Sequence, residues 1–160
     1  MTSESRTISN AGVHFPPPFI YLAGVAAGWA VNTWHALPIT APHSTTRVAA
    51  AVLCVLLWLG LFLSAFAAFR RHRTTIVPNR PATAVVTEGP FRFTRNPMYV
   101  SFVALYIGLM LLVNSWWPLI FLPIVVMVLQ RFVIAREERY LRAAFPAEYE
   151  AYARTVRRWL

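Results

Sequence analysis

The stretch Val48 to Phe69, VAAAVLCVLLWLGLFLSAFAAF, holds no charged residue and is long enough to cross a bilayer core, which takes about 20 mostly apolar residues per helix. Working outward from it, three further apolar runs appear. One spans 19–37, after the breaker Pro16, Pro17 and Pro18; one spans 98–117; and one starts at Pro118 and runs to 135. The composition agrees: of 160 residues, 58% are hydrophobic and 13% charged, against about 25% charged in a soluble domain. The length allows one domain, 1–160. The expected fold class is all-α, a polytopic membrane protein with four transmembrane helices.

The 15 cations are all Arg and the 6 anions all Glu, giving a net charge of +9. A basic balance raises nucleic acid as a partner, but the arginines lie in bands between apolar runs and no nucleic-acid motif accompanies them. Arg70, Arg71, Arg73, Arg80, Arg92 and Arg95 fall in the connection 70–97. Arg136, Arg139, Arg142, Arg154, Arg157 and Arg158 fall in the tail 136–160, and the remaining connections hold only Arg47. By the positive-inside rule both termini and the middle loop are expected in the cytoplasm, in a bacterial-type inner membrane. Only Arg6, offset by Glu4, precedes the first span, so it reads as a retained helix rather than a signal peptide.

Local signals refine this outline. Gly24 and Gly28 are four apart, a spacing that permits close helix contact. Asn114, Ser115, Trp116, Trp117 and Pro118 form a turn with an interfacial aromatic belt, predicting a tight antiparallel hairpin of the last two spans. Arg131 interrupts the fourth span. It either snorkels to the headgroups or, two helical turns before Glu138, shares that residue's face. Phe145, Tyr149, Tyr152, Val156 and Trp159 recur at helical spacing, giving a C-terminal cytoplasmic amphipathic helix begun by Pro146. Cys54 lies in an apolar run and builds neither a disulfide nor a metal site, and His14, His35, His43 and His72 lack metal-ligand spacing. No nucleotide-binding glycine motif and no HExxH is present. What remains is a set of polar residues at the cytoplasmic edge: Glu88, Arg92, Arg95, Asn96 and Tyr99 entering the third span, and Arg131, Glu137, Glu138, Tyr149, Tyr152 and Arg158 leaving the fourth.

The segment TEGPFRFTRNPMY from Thr87 to Tyr99, a helical hairpin, and EERYLRAAFPAEYEAYARTVRRWL from Glu137 to Leu160 together resemble the isoprenylcysteine carboxyl methyltransferase-like group of integral membrane methyltransferases. That group in turn resembles the phospholipid methyltransferases. The resemblance implies S-adenosylmethionine as methyl donor, held at the cytoplasmic ends of the last two spans. By position, Arg95, Asn96, Pro97 and Tyr99 match the family's Arg-His/Asn-Pro motif. Glu137 and Glu138 match its paired glutamates, and Tyr149, Tyr152 and Arg158 match its covering segment. Pro146 and Arg157 depart from the common pattern, and Asn96 stands where many members have His.

The implied roles are catalytic for Arg95, Glu138 and Tyr99, and donor-binding for Asn96, Pro97, Tyr99, Glu137, Glu138, Tyr149, Tyr152 and Arg158. The donor's ammonium and carboxylate call for at least one Glu and one Arg. A carboxylate acceptor oriented by Arg95 is favoured, and an amine, which needs a base, is possible. The expected partner is a lipophilic small molecule or membrane lipid. Two rival functions remain: a membrane reductase related to sterol reductases that uses a nicotinamide cofactor, and a non-catalytic membrane scaffold.

Overall fold

The computed structural model describes Gly12, residues 16–74 and residues 81–160; Glu4, Arg6, His14 and Arg80, named above, lie outside them. Among the described residues all regular structure is helical. Helix α1 is Pro18–Trp34, α2 Thr45–Arg71, α3 Pro97–Leu112, α4 Trp117–Leu129, α5 Ala135–Ala144 and α6 Pro146–Thr155; a 3₁₀ turn, Gly89–Arg92, precedes α3. A π turn, Gln130–Ile134, joins α4 to α5 without a break, so that Trp117–Ala144 is one 28-residue helix. That helix and α2 are long and apolar enough to cross a membrane. Helices α1 and α3 are apolar but only 17 and 16 residues long, which at about 1.5 Å per residue falls short of a ~30 Å hydrocarbon core.

The ends of these helices follow from local chemistry. Ser44 caps α2, its hydroxyl accepting from the Arg47 backbone N–H at 3.3 Å. Proline occupies the first turn of α1, α3, α4 and α6, where its missing N–H costs nothing. Asn114, with φ of 51°, adopts the left-handed conformation that closes α3. Its side-chain oxygen accepts from Ile39 and Thr40 N–H at 3.2 and 3.1 Å, tying the α1–α2 connection to the turn. Arg47 is buried and donates to the carbonyls of Leu111, Leu112 and Pro42. A cation there neutralises the negative end of α3.

Packing departs from a simple hairpin. The α3–α4 turn is tight, with the Tyr106 phenol donating to the Pro118 carbonyl at 2.6 Å, yet each helix finds its main partner elsewhere, α3 against α2 and α4 against α1. Small residues explain both pairings. A Cβ at Gly24 would collide with the Val125 side chain, and one at Gly28 would lie 2.5 Å from the Pro118 nitrogen. The four-residue glycine spacing thus seats α1 directly on α4. Gly108 does the same for α3 against Ala51 and Cys54 of α2. Helix α2 buries Ala51, Ala65 and Ala68 and exposes Val52, Leu53, Leu56, Leu57 and Leu63, small inside and large outside, as hydrocarbon solvent favours.

The π turn decides between the two alternatives for Arg131. A π turn takes an extra residue per turn, so the two-turn spacing of Arg131 and Glu138 does not bring them onto one face: Arg131 and Phe132 are exposed, whereas Val133, Ile134 and Glu138 are buried. The exposed position is the snorkelling alternative. On the same grounds, α6 lays its apolar side on the protein, burying Tyr149 and Tyr152.

Gly28→Ala is expected to lower stability by about 1–3 kcal/mol through overpacking against Pro118, whereas Gly60→Ala, with nothing within 4 Å of its Cβ, should raise it by up to about 1 kcal/mol from helix propensity. Unfolding midpoints in detergent should therefore move in opposite directions. A matched response would contradict the α1–α4 contact.

Candidate active site

Glu138 projects from α5 into the protein and is only 4% exposed. A buried carboxylate needs a cation and hydrogen bonds to offset its lost hydration. Arg158 supplies both in bidentate form, Nε to Oε1 at 3.0 Å and a terminal nitrogen to Oε2 at 2.5 Å, and Arg95 adds a second guanidinium at 3.5 Å. Hydrogen bonding to Glu138 holds the Arg158 guanidinium above its ordinary range. Three segments far apart in sequence meet in this clasp: the entry to α3, the start of α5, and the segment after α6.

The backbone around Arg95 is zipped to that last segment. Arg95 N–H donates to the Arg157 carbonyl at 2.9 Å, and both Thr94 Oγ1 and Asn96 Nδ2 donate to the Arg158 carbonyl, at 3.1 and 2.9 Å. Tyr152 of α6 donates to the Phe91 carbonyl at 2.7 Å, pinning the 3₁₀ turn. Pro97, fully buried, starts α3 directly after these contacts. Asn96 thus fills its place in the motif with an amide whose donor ties down the tail. Tyr149 lies beside Arg95, with Arg142 over its ring at 5.7 Å. Burial first, and the charge of Glu138 second, push the Tyr149 phenol up to about 12, and burial raises Tyr152 also. Both are neutral at physiological pH.

Next to Glu138, Glu137 takes a hydrogen bond from the Tyr99 phenol at 2.8 Å. The Tyr99 carbonyl in turn accepts from Tyr21 of α1 at 2.9 Å. The nine residues given site roles from the sequence, Arg95, Asn96, Pro97, Tyr99, Glu137, Glu138, Tyr149, Tyr152 and Arg158, therefore gather at one end of the bundle. Glu88 is apart, 3.6 Å from His72, and Arg92 is exposed. Sequence reasoning missed Thr94 and Tyr21. Thr94 lies inside the motif and, as a hydroxyl before Arg-Asn-Pro, had a readable signal; Tyr21, 78 residues from Tyr99, had none.

The donor set suits a zwitterionic ligand. Arg95 Nε is buried without a hydrogen-bond partner, a donor left over beside the carboxylate it neutralises. Among the described residues, no cation pairs with Glu137.

The family model for phospholipid methyltransferases matches residues 46–148, more than half the chain, and the protein belongs to that family. It is accordingly a membrane methyltransferase. An uncharacterized protein of Haemophilus influenzae is 40% identical over 63 residues, covering 35% of this chain and the whole of that protein. No solved structure matches.

Glu138→Ala leaves Arg95 and Arg158 facing each other unneutralised. It is expected to cost about 3 kcal/mol, near the low end for breaking a buried pair because Arg158 is partly solvated. Hydrogen exchange should also accelerate at the Arg95 backbone N–H, which is bonded to the tail. An unchanged unfolding midpoint with unchanged exchange would show that the clasp does not hold that segment.

Proposed function

We propose that the protein transfers a methyl group from S-adenosylmethionine to the headgroup amine of a membrane lipid, at the cytoplasmic side of a bacterial inner membrane, with four membrane helices in one domain and both termini cytoplasmic. The observation that carries this reading is the convergence of Arg95, Glu138 and Arg158 with an unpaired Arg95 Nε. A donor with an ammonium and a carboxylate meets matching charges there: Glu138 receives the ammonium, and Arg95 and Arg158 the carboxylate. Asn96 and Pro97 form the floor, and Tyr149 and Tyr152 on α6 cover it. When bound, the donor supplies a methyl on a sulfonium, whose bonding pair leaves with sulfur as the acceptor forms the new bond.

The chain's own contribution is position and dryness. Methyl displacement is in line and discharges the sulfonium, so aligned reactants and excluded water supply most of the acceleration. The zipped contacts from Thr94, Arg95 and Asn96 to the tail hold the covering segment over the place where that alignment must persist. On this reading an amine comes ahead of the carboxylate favoured by sequence. Arg95, the group assigned to orient an acceptor carboxylate, is on this reading committed to the donor's carboxylate, while Glu137 has no cation beside it among the described residues. The family's description as phospholipid methyltransferases supports a lipid acceptor.

Purified protein in detergent should bind S-adenosylmethionine saturably, and Arg95→Ala or Glu138→Ala should weaken that affinity at least about tenfold, the equivalent of one charge-assisted contact, with helix content retained. Labelled methyl should enter phosphatidylethanolamine vesicles. Tight nicotinamide binding in place of the sulfonium donor would favour the reductase reading, and binding of neither would favour the scaffold.

A further inference from the structure

The two adjacent glutamates of α5 occupy opposite surroundings. Both oxygens of Glu138 face guanidinium groups and the residue is buried. Glu137 uses one oxygen, Oε1, to accept from the Tyr99 phenol; its Oε2 has no hydrogen-bond or ionic partner among the described residues, and the residue is only half-buried. Two carboxylates placed so differently perform different work.

An amine acceptor creates a specific need. At neutral pH a lipid amine is an ammonium with its lone pair committed to a proton, and it attacks nothing until that proton leaves. The site's inventory of bases is short. Arg95 and Arg158 are permanent cations. Tyr152 spends its proton on the Phe91 carbonyl, and Tyr149 is buried against Arg95 and Arg142. His72 pairs with Glu88 outside the cluster, and His35 and His43 follow α1 at the other end of the bundle. Glu138 is occupied by two guanidiniums. Among the described residues, Glu137 alone combines a carboxylate oxygen without a partner, partial access and no guanidinium beside it.

We propose that Glu137, oriented by Tyr99, attracts the acceptor's ammonium and takes its proton. This assignment rests on the amine-methyltransferase reading above and differs from a donor-binding role for Glu137. The balance is simple: the N–H bond breaks, an O–H bond forms at Glu137 Oε2, and the pair left on nitrogen is the one that forms the bond to the methyl carbon. Tyr99 is a positioning residue. Its phenol fixes Oε1, so that Oε2 points to the acceptor, and its own backbone is fixed by the Tyr21 hydroxyl on α1. The charged and titratable groups acting on Glu137 are Tyr99 from α3 and Glu138 from its own helix. Tyr21 reaches it only through Tyr99, and Arg95 and Arg158 reach it only across Glu138.

The test uses the full-length protein in detergent and the variants Glu137→Gln and Tyr99→Phe. Three quantities are read: calorimetric affinity for S-adenosylmethionine, affinity of donor-free protein for short-chain phosphatidylethanolamine, and the pH profile of methyl transfer to that lipid. Glu137→Gln preserves shape and can still accept from Tyr99. It is expected to keep donor affinity within about twofold and to lose about tenfold or more in amine-lipid affinity. Its transfer rate should fall about 10²–10⁴-fold at neutral pH, the usual worth of a general base, and recover as rising pH supplies free amine. Tyr99→Phe retains the carboxylate and should lose about tenfold in rate, with donor affinity unchanged, so a misfolded Gln variant does not end the test. Loss of donor affinity in Glu137→Gln comparable to that in Glu138→Ala would overturn the proposal in favour of a donor anchor. So would an unaltered pH profile. Wild-type protein that binds the donor yet methylates no amine lipid overturns the underlying reading, and this proposal with it.

Discussion

The clasp of Glu138 between Arg95 and Arg158 is the constraint on which this end of the bundle depends. A carboxylate this deeply buried is tolerable only with its cations in place, and those cations come from the entry to α3 and the segment beyond α6. Satisfying one charge therefore fixes three pieces of chain. The backbone hydrogen bonds from Thr94, Arg95 and Asn96 to the carbonyls of Arg157 and Arg158 follow from the same registration. Tyr152 reaching the Phe91 carbonyl extends it into α6. Ion pairs of this kind contribute little net stability against an apolar substitute, but they specify one arrangement among several. That specificity suits the proposed binding of a small zwitterion by fixed charges.

Much of the fold was legible because a membrane simplifies the code. Uninterrupted apolar length located α2, and the pair Gly24 and Gly28 announced a close contact that the structure finds against Val125 and Pro118. Proline and Asn114 marked the helix ends. Legibility stopped where partners are chosen among apolar surfaces. Nothing in the composition of α3 or α4 says that each packs on a helix from the first half of the chain rather than on its hairpin neighbour, because every candidate face is equally greasy and only the positions of small residues decide. Counting apolar residues also overstated α1 and α3, which end several residues before their hydropathy does, since Asn114 and the bend after Trp34 are backbone events that hydropathy does not register.

The site was legible for a different reason. Charged residues at the edge of an apolar bundle are few, and two motifs separated by a hairpin can meet only where the hairpin's ends meet. Their grouping followed; their connections did not. The division between Glu137, bonded to a phenol, and Glu138, bonded to two guanidiniums, depends on which way each projects from α5, and Asn96 turned out to spend its amide on the tail.

That projection is set by the π turn at Gln130–Ile134. It holds one residue more than an α turn would, and consecutive α-helical residues differ by about 100° in azimuth. Were these residues to rewind as plain α with none lost, everything beyond would turn by that angle and carry both carboxylates away from Tyr99 and Arg95, whereas loss of a single codon within the five would remove the surplus residue and keep their aim. What aims the two glutamates is thus a backbone irregularity in a stretch that contributes no side chain to the candidate site, and a change that restored α winding there without shortening the chain would disperse the cluster with all its side chains still encoded.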